Sequence, residues 1–177
     1  TEINNTMPPF KTQTPTDLSR GHFIDIFGGV YEHSQWIVEQ AWDTGLDPRH
    51  NSIEGLHSTL KAIVDEAGYA PQLALLRAHP DLAGKLAVSG ELTNESTGEQ
   101  ASAGLDQCSE QEFKAFQSNN TKYKEKFGFP YILAVKGRNR VEILKNFSHR
   151  VDLDVADEFE VAVSQVHQIA LLRLSDL

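Results

Sequence analysis

"DVADEFEVAVSQVHQIALLRLSDL", Asp154 to Leu177, is the stretch whose reading decides the fold. Val155, Phe159, Ala162, Val163, Val166, Ile169 and Ala170 recur at three- and four-residue steps, which gathers them on one stripe of an α-helix. Asp154 stands where an N-cap belongs. A long amphipathic helix must bury its stripe against other elements, so the next question is whether the rest of the chain supplies helices or strands.

It supplies helices. "NRVEILKNFSHRV" repeats the spacing through Val141, Leu144 and Phe147. Ser109 and Glu112 form a capping-box signature ahead of "EFKAFQSNNTKYKEKFG", where Phe113, Phe116, Tyr123 and Phe127 predict an aromatic core face that stops at Gly128. Ser96 and Glu99 repeat that signature and predict a helix beginning at Ser96. Pro71 suits a first helical position for "PQLALLRA". Ser52 caps a run carrying Leu56, Leu60 and Val64, Ser34 precedes one that turns Trp36, Ile37 and Ala41 inward, and Ser19 precedes one ended by Gly28-Gly29.

The exception is Tyr131 to Val135, an apolar run between Pro130 and Gly137 that reads as extended chain. One such run cannot make a sheet. The expected architecture is therefore all-α: a single compact domain of about eight helices over residues 16–177, with one short extended segment. Residues 1–15, with three prolines, are expected to form an N-terminal arm.

Composition narrows the function. The 177 residues carry a formal net charge of −9, which repels nucleic acid and anionic membranes and favours a small molecule or a protein as partner. The single cysteine, Cys108, excludes an intrachain disulfide and a multi-cysteine zinc site, and suits a reducing compartment. No apolar run reaches the roughly 20 residues of a membrane helix, so a cytoplasmic protein is expected. His-Glu-x-x-His, EF-hand, P-loop and Gly-x-Ser-x-Gly patterns are all missing, which favours chemistry with neither metal nor organic cofactor.

Three residues draw attention as chemistry carriers. His79 is delivered by the end of an apolar helix directly onto Pro80, with Arg77 and Asp81 nearby; it is either a hydrogen-bonded helix terminus or an acid–base group. Glu99 either closes its own capping box or orients an imidazole or a urea-like N–H. Arg173 interrupts the apolar "IALLRLSDL", and either reaches out to water or is held inside to meet an anion.

Taken together, "FGGVYEHSQWIVEQAW", "AHPDLAG", "LTNESTGEQASAGLD", "KYKEKFGFPYILAVKG" and "HQIALLRL" resemble the OHCU decarboxylases across nearly everything after Pro15. These enzymes act on 2-oxo-4-hydroxy-4-carboxy-5-ureidoimidazoline (OHCU) in urate breakdown. The resemblance implies an all-α homodimer that needs no cofactor, forms (S)-allantoin and carbon dioxide, and lies in the cytoplasm, or in the peroxisome of a eukaryote. By matching motif it implies His79 as the proton-handling group, Glu99 as its acidic companion and Arg173 as the site arginine, with Arg150 its rival. Pro80, Ser96 and Gln100 would line the pocket, and Tyr131, Ile132, Leu133, Ala134 and Val135 would form its extended wall. Functional association with a hydroxyisourate hydrolase is a further expectation. Two other readings of the same residues are a hydrolase or isomerase of a related ureide and a non-catalytic ureide-binding module.

Overall fold

In a computed structural model that describes residues 8–84 and 89–177, eight α-helices carry the fold, and no strand forms among the described residues. They are α1 (Arg20–Phe27), α2 (Trp36–Thr44), α3 (Ile53–Glu66), α4 (Tyr69–Arg77), α5 (Asn94–Ser102), α6 (Glu110–Phe127), α7 (Arg140–Val151) and α8 (Val155–Ser175). No helix of the described residues is long and apolar enough to cross a membrane.

Side-chain caps start several helices where the sequence predicts. Ser19 accepts from the His22 amide at α1, Ser52 from Gly55 at α3, and Ser109 and Glu112 form a complete capping box at α6. Gly128, at φ +79°, ends α6 in a left-handed cap that a side-chain-bearing residue adopts at a cost. Gly55 is required for another reason: a Cβ there would lie 1.9 Å from the Arg49 carbonyl oxygen.

Other expectations are corrected. α2 begins after Gln35, while the Ser34 hydroxyl donates to the Glu32 carbonyl instead of capping. Ile37, Val38 and Ala41 take the buried side of that helix and leave Trp36 exposed. α4 starts at Tyr69, which puts Pro71 in its first turn, where a missing N–H still costs no helical bond. In α7 the buried positions are Ile143, Phe147 and Arg150, and Val141 is 72% exposed.

The chain divides into two compact units, Thr1–Gln72 with His167–Leu177, and Leu73–Val166. The first has α1, α2 and α3 around Phe23, Phe27, Ile37, Leu56 and Leu60. Of its N-terminal arm, residues 1–7 lie outside the described residues; Phe10 is buried edge-on against Phe27, with ring centroids 5.2 Å apart. The second holds an aromatic core in which Tyr131 stacks on Phe147 at 3.8 Å and Tyr123 meets Phe127, Phe129 and Tyr131 edge-on or tilted.

Tyr131–Val135 is buried in the second unit, outside any helix. Backbone polar groups there need partners other than a neighbouring strand. Side chains provide them: Arg150 donates to the Ile132 carbonyl and the Ala134 amide donates to Gln165 Oε1 at 2.9 Å. The Arg138 amide donates to the Val135 carbonyl at 3.0 Å. Three backbone groups of this irregular run are thus satisfied inside an all-α unit without a sheet.

Candidate functional site

His79 follows α4 by two residues, held out of helical conformation by Pro80. Its amide donates to the Leu76 carbonyl at 3.2 Å, and its Nδ1 lies 2.8 Å from the Leu75 carbonyl oxygen. A carbonyl only accepts, so Nδ1 carries the proton of the neutral ring and Nε2 is the basic nitrogen. The ring is 8% exposed. The helix-terminus and acid–base readings are therefore compatible, because the terminal hydrogen bond is what selects the tautomer.

The loop after His79 is clamped by three side-chain amides. Gln100 accepts from the Ala83 amide at 3.0 Å and donates to the Asp81 carbonyl at 3.2 Å. Gln117 donates to the Ala83 carbonyl at 2.8 Å, and Asn120 to the Leu82 carbonyl at 3.1 Å. Lys124 pairs with the Asp81 carboxylate at 2.7 Å. Ala83 sits at φ +50°, a left-handed conformation unusual for a residue with a Cβ.

α5 does not begin at Ser96. Thr93 is its N-cap and accepts from the Ser96 amide at 3.2 Å, so the Ser96–Glu99 capping box is not formed. Thr93 and Ser96 are both competent caps, and starting at the earlier one adds a turn of helix. Glu99 is consequently a half-buried residue of the helix interior. Ser96, Glu99 and Gln100 share one helical face by their spacing, and Ser96 and Gln100 are buried.

Arg150 is 3% exposed and belongs to the framework of the second unit. Its Nε donates to Glu158 Oε1 at 2.8 Å, its two terminal nitrogens bond Glu158 and the Ile132 carbonyl, and the guanidinium lies 4.6 Å over the Tyr131 ring. Tyr123 donates to the same Glu158 oxygen. Burial opposes the Arg150 charge, but Glu158 more than offsets it and leaves the pKa raised. Burial also raises the Tyr123 and Tyr131 hydroxyls well above their ordinary range.

Arg173 belongs to the first unit and is 8% exposed. One terminal nitrogen donates to the Gly29 carbonyl at 2.9 Å, the other to Glu32 Oε2 at 2.8 Å. On the same helix the Tyr31 hydroxyl meets His167 Nδ1 at 2.8 Å, and His167 Nε2 meets Asp65 Oδ1 at 2.9 Å. Since a carboxylate only accepts, Nε2 holds the His167 proton and Tyr31 donates to Nδ1. Burial lowers the His167 pKa, with Asp65 opposing it. His57 Nε2 donates to the His167 carbonyl at 2.9 Å.

The predicted residues His79, Pro80, Ser96, Glu99, Gln100 and Tyr131 to Val135 all belong to the second unit, and Arg173 to the first. Within the second unit, Gln100 joins α5 to the loop after His79. Sequence reading missed Glu32, Glu158, Gln117, Asn120 and Gln165. Glu158 leaves a signal, because it falls in phase with Ala162, Val166, Ile169 and Arg173 along α8. Glu32 lies in a turn and has no periodicity to betray it.

A cleft of about 580 Å³ also opens beside α5, with Thr97, Gln100, Leu105 and Phe113 among its lining residues. His79, Glu99 and the extended segment do not line it, so its size does not identify the predicted site. Among the described residues no group of three or more His, Cys, Asp or Glu side chains is arranged to hold a metal ion.

Known proteins resemble this chain along most of its length. The OHCU decarboxylase family model matches residues 16–175. The chain is 42% identical over 159 residues to 2-oxo-4-hydroxy-4-carboxy-5-ureidoimidazoline decarboxylase of Haloferax volcanii, covering 90% of either chain. It is 32% identical over 163 residues to a uric acid degradation bifunctional protein of a Bacillus species, covering 91% of this chain and 31% of that one. A crystal structure of (S)-allantoin synthase matches with a TM-score of 0.69 and 30% identity, over 92% of this chain and 53% of that chain.

Proposed function

This chain belongs to the OHCU decarboxylase family, and we propose from that premise that His79, Glu99 and Arg173 carry its reaction. The enzyme is a carboxy-lyase that converts OHCU into (S)-allantoin and carbon dioxide in urate catabolism. In the substrate a hydroxyl and a carboxylate share one ring carbon, beside a carbon in a C=N bond. When carbon dioxide leaves, the electron pair forms a carbon–carbon double bond and the former imine nitrogen takes a proton. The resulting enol then loses its hydroxyl proton and gains one at the neighbouring carbon. Since the substrate contains its own electron sink, the reaction needs no organic cofactor.

The observation that carries the assignment of His79 is its fixed tautomer. Leu75 holds Nδ1–H, so Nε2 is the nitrogen that accepts the hydroxyl proton and returns one to carbon. Delivery from one fixed donor gives a single enantiomer. With the tautomer set by Leu75, Glu99 is left to hold the ureido N–H groups. Ser96, Pro80 and residues 131–135 line the pocket, whereas Gln100 acts by fastening the loop. Residues 16–177 form the catalytic domain, which works as a homodimer in the cytoplasm or the peroxisome. The Bacillus relative, of which this chain covers 31%, is a bifunctional protein of uric acid degradation, which supports association with another enzyme of that breakdown; a hydroxyisourate hydrolase is the partner proposed.

The test is an optical-rotation time course on freshly generated OHCU. His79→Asn is expected to lower the rate by about 10²- to 10⁴-fold, with unchanged far-ultraviolet circular dichroism and racemic product from spontaneous decay. A wild-type rate of single-enantiomer formation in that variant would remove His79 from the mechanism.

A further inference from the structure

We infer that Glu32 is a positioning residue for the decarboxylation: it orients Arg173 and cancels its net charge, so that Arg173 meets the substrate as a directed donor and not as a bare cation. The inference rests on Arg173 being the substrate arginine, as proposed above.

The local chain is built to hold this pair. After α1 the backbone turns through Val30 N–H to Phe27 at 3.1 Å and Ser34 N–H to Tyr31 at 3.2 Å. His33 stands at φ +47°, and the Ser34 hydroxyl ties back to the Glu32 carbonyl at 2.9 Å. Consecutive side chains of this turn then grip α8 twice, Tyr31 at His167 and Glu32 at Arg173. Six residues of helix, about 9 Å, separate the two points, so the end of α8 is fixed against sliding and rotation. Two anchors of the guanidinium, the Gly29 carbonyl and Glu32 Oε2, come from this one turn.

Glu32 is 1% exposed. A carboxylate that deep stays ionised only with a counter-charge, and Arg173 supplies it. The exposed His33 imidazole lies 3.7 Å from Oε1 of this carboxylate.

The reaction gives the pairing a use beyond stability. The substrate carboxylate disappears as neutral carbon dioxide, so an unneutralised arginine would hold the ground state more tightly than the transition state. Sharing the guanidinium with Glu32 weakens that grip. The directed N–H groups remain effective toward negative charge that grows on the ring as the carbon–carbon bond breaks. Removing the Glu32 charge should therefore tighten substrate binding and slow turnover together, which loss of a merely structural ion pair would not do.

Glu32→Gln keeps the size and an acceptor oxygen and deletes the charge. Its kcat is expected to fall by about 10²-fold, the scale of a misplaced reacting group. KM for OHCU should fall by about tenfold, while the inhibition constant of (S)-allantoin, which has no carboxylate, stays within about twofold. Unchanged kcat and KM, or equal weakening of both ligands, overturns the inference. If Glu32→Gln does not fold, Glu32→Asp decides: the charge stays but the carboxylate withdraws by one methylene, so kcat should drop without tighter binding of OHCU, and a wild-type kcat overturns the inference. Arg173→Lys separates the two levels. Wild-type turnover there removes Arg173 from the site; slowed turnover there, beside a wild-type Glu32→Gln, removes Glu32 alone.

Discussion

Each unit contains a buried arginine–glutamate pair, and the two are used differently. In the second, Arg150 and Glu158 are consumed by the framework: three guanidinium nitrogens and the π-face contact with Tyr131 go to protein groups. In the first, Arg173 is gripped by its two terminal nitrogens from a single turn. The former pair holds the buried segment at Tyr131 and Ile132 through Arg150; in the latter, Glu32 and the Gly29 carbonyl hold the guanidinium. Burial alone does not tell a structural arginine from the substrate arginine proposed for position 173. Both surroundings hold a buried tyrosine whose pKa is raised, Tyr31 in the first unit and Tyr123 in the second, but the first adds His167, whose pKa burial lowers.

The sharpest way to break this contrast is Arg150→Met. It leaves Glu158, 0% exposed, without its counter-charge, and is expected to cost roughly 3–5 kcal/mol in urea unfolding, with activity following the folded fraction. Arg150→Met combined with Glu158→Leu should recover most of that loss. A fully stable but inactive Arg150→Met would instead make Arg150 the substrate arginine.

A second measurement sharpens the electrostatic difference. The folded-state pKa of His167 lies below its ordinary value of about 6.5, so on acidification the unfolded chain takes up this proton first. The associated stability is complete above about pH 6.5 and is lost as pH falls toward and through the folded value, at up to about 1.4 kcal/mol per pH unit. Wild type should therefore lose stability between pH 7 and 5 more steeply than His167→Gln. Parallel curves would mean that this histidine contributes nothing to the window. The smallest effect is local to the second unit: Thr93→Ala should cost about 1 kcal/mol through the lost cap of α5 and leave the His167 titration, followed by NMR, unmoved.

The all-α class was legible because apolar stripes in α3, α6 and α8 recur at the helical period, a local property. Phase was less so. Val141 and Val155 are apolar yet exposed, and α7 instead turns Arg150 inward, which makes sense only once Glu158, on the next helix, is known to meet it. Ser96 and Glu99 matched a capping box by spacing, but an equally good cap at Thr93 precedes them, and spacing cannot rank the two. The position of His79 just past the end of α4 was readable because Pro80 acts on its immediate neighbour. The partner of Arg173 was not, since Glu32 lies 141 residues away in a turn and only tertiary packing joins them.

The left-handed Ala83 has a last consequence for rate. A single such residue with a Cβ costs about 1–2 kcal/mol, and amide contacts from Gln100 and Gln117 hold it there with Asn120 on the residue before. That expense is met once, when the polypeptide folds. An imidazole tethered to so constrained a loop has little freedom to surrender on each catalytic cycle, so the proton-carrying role proposed for His79 starts from a ring already aimed.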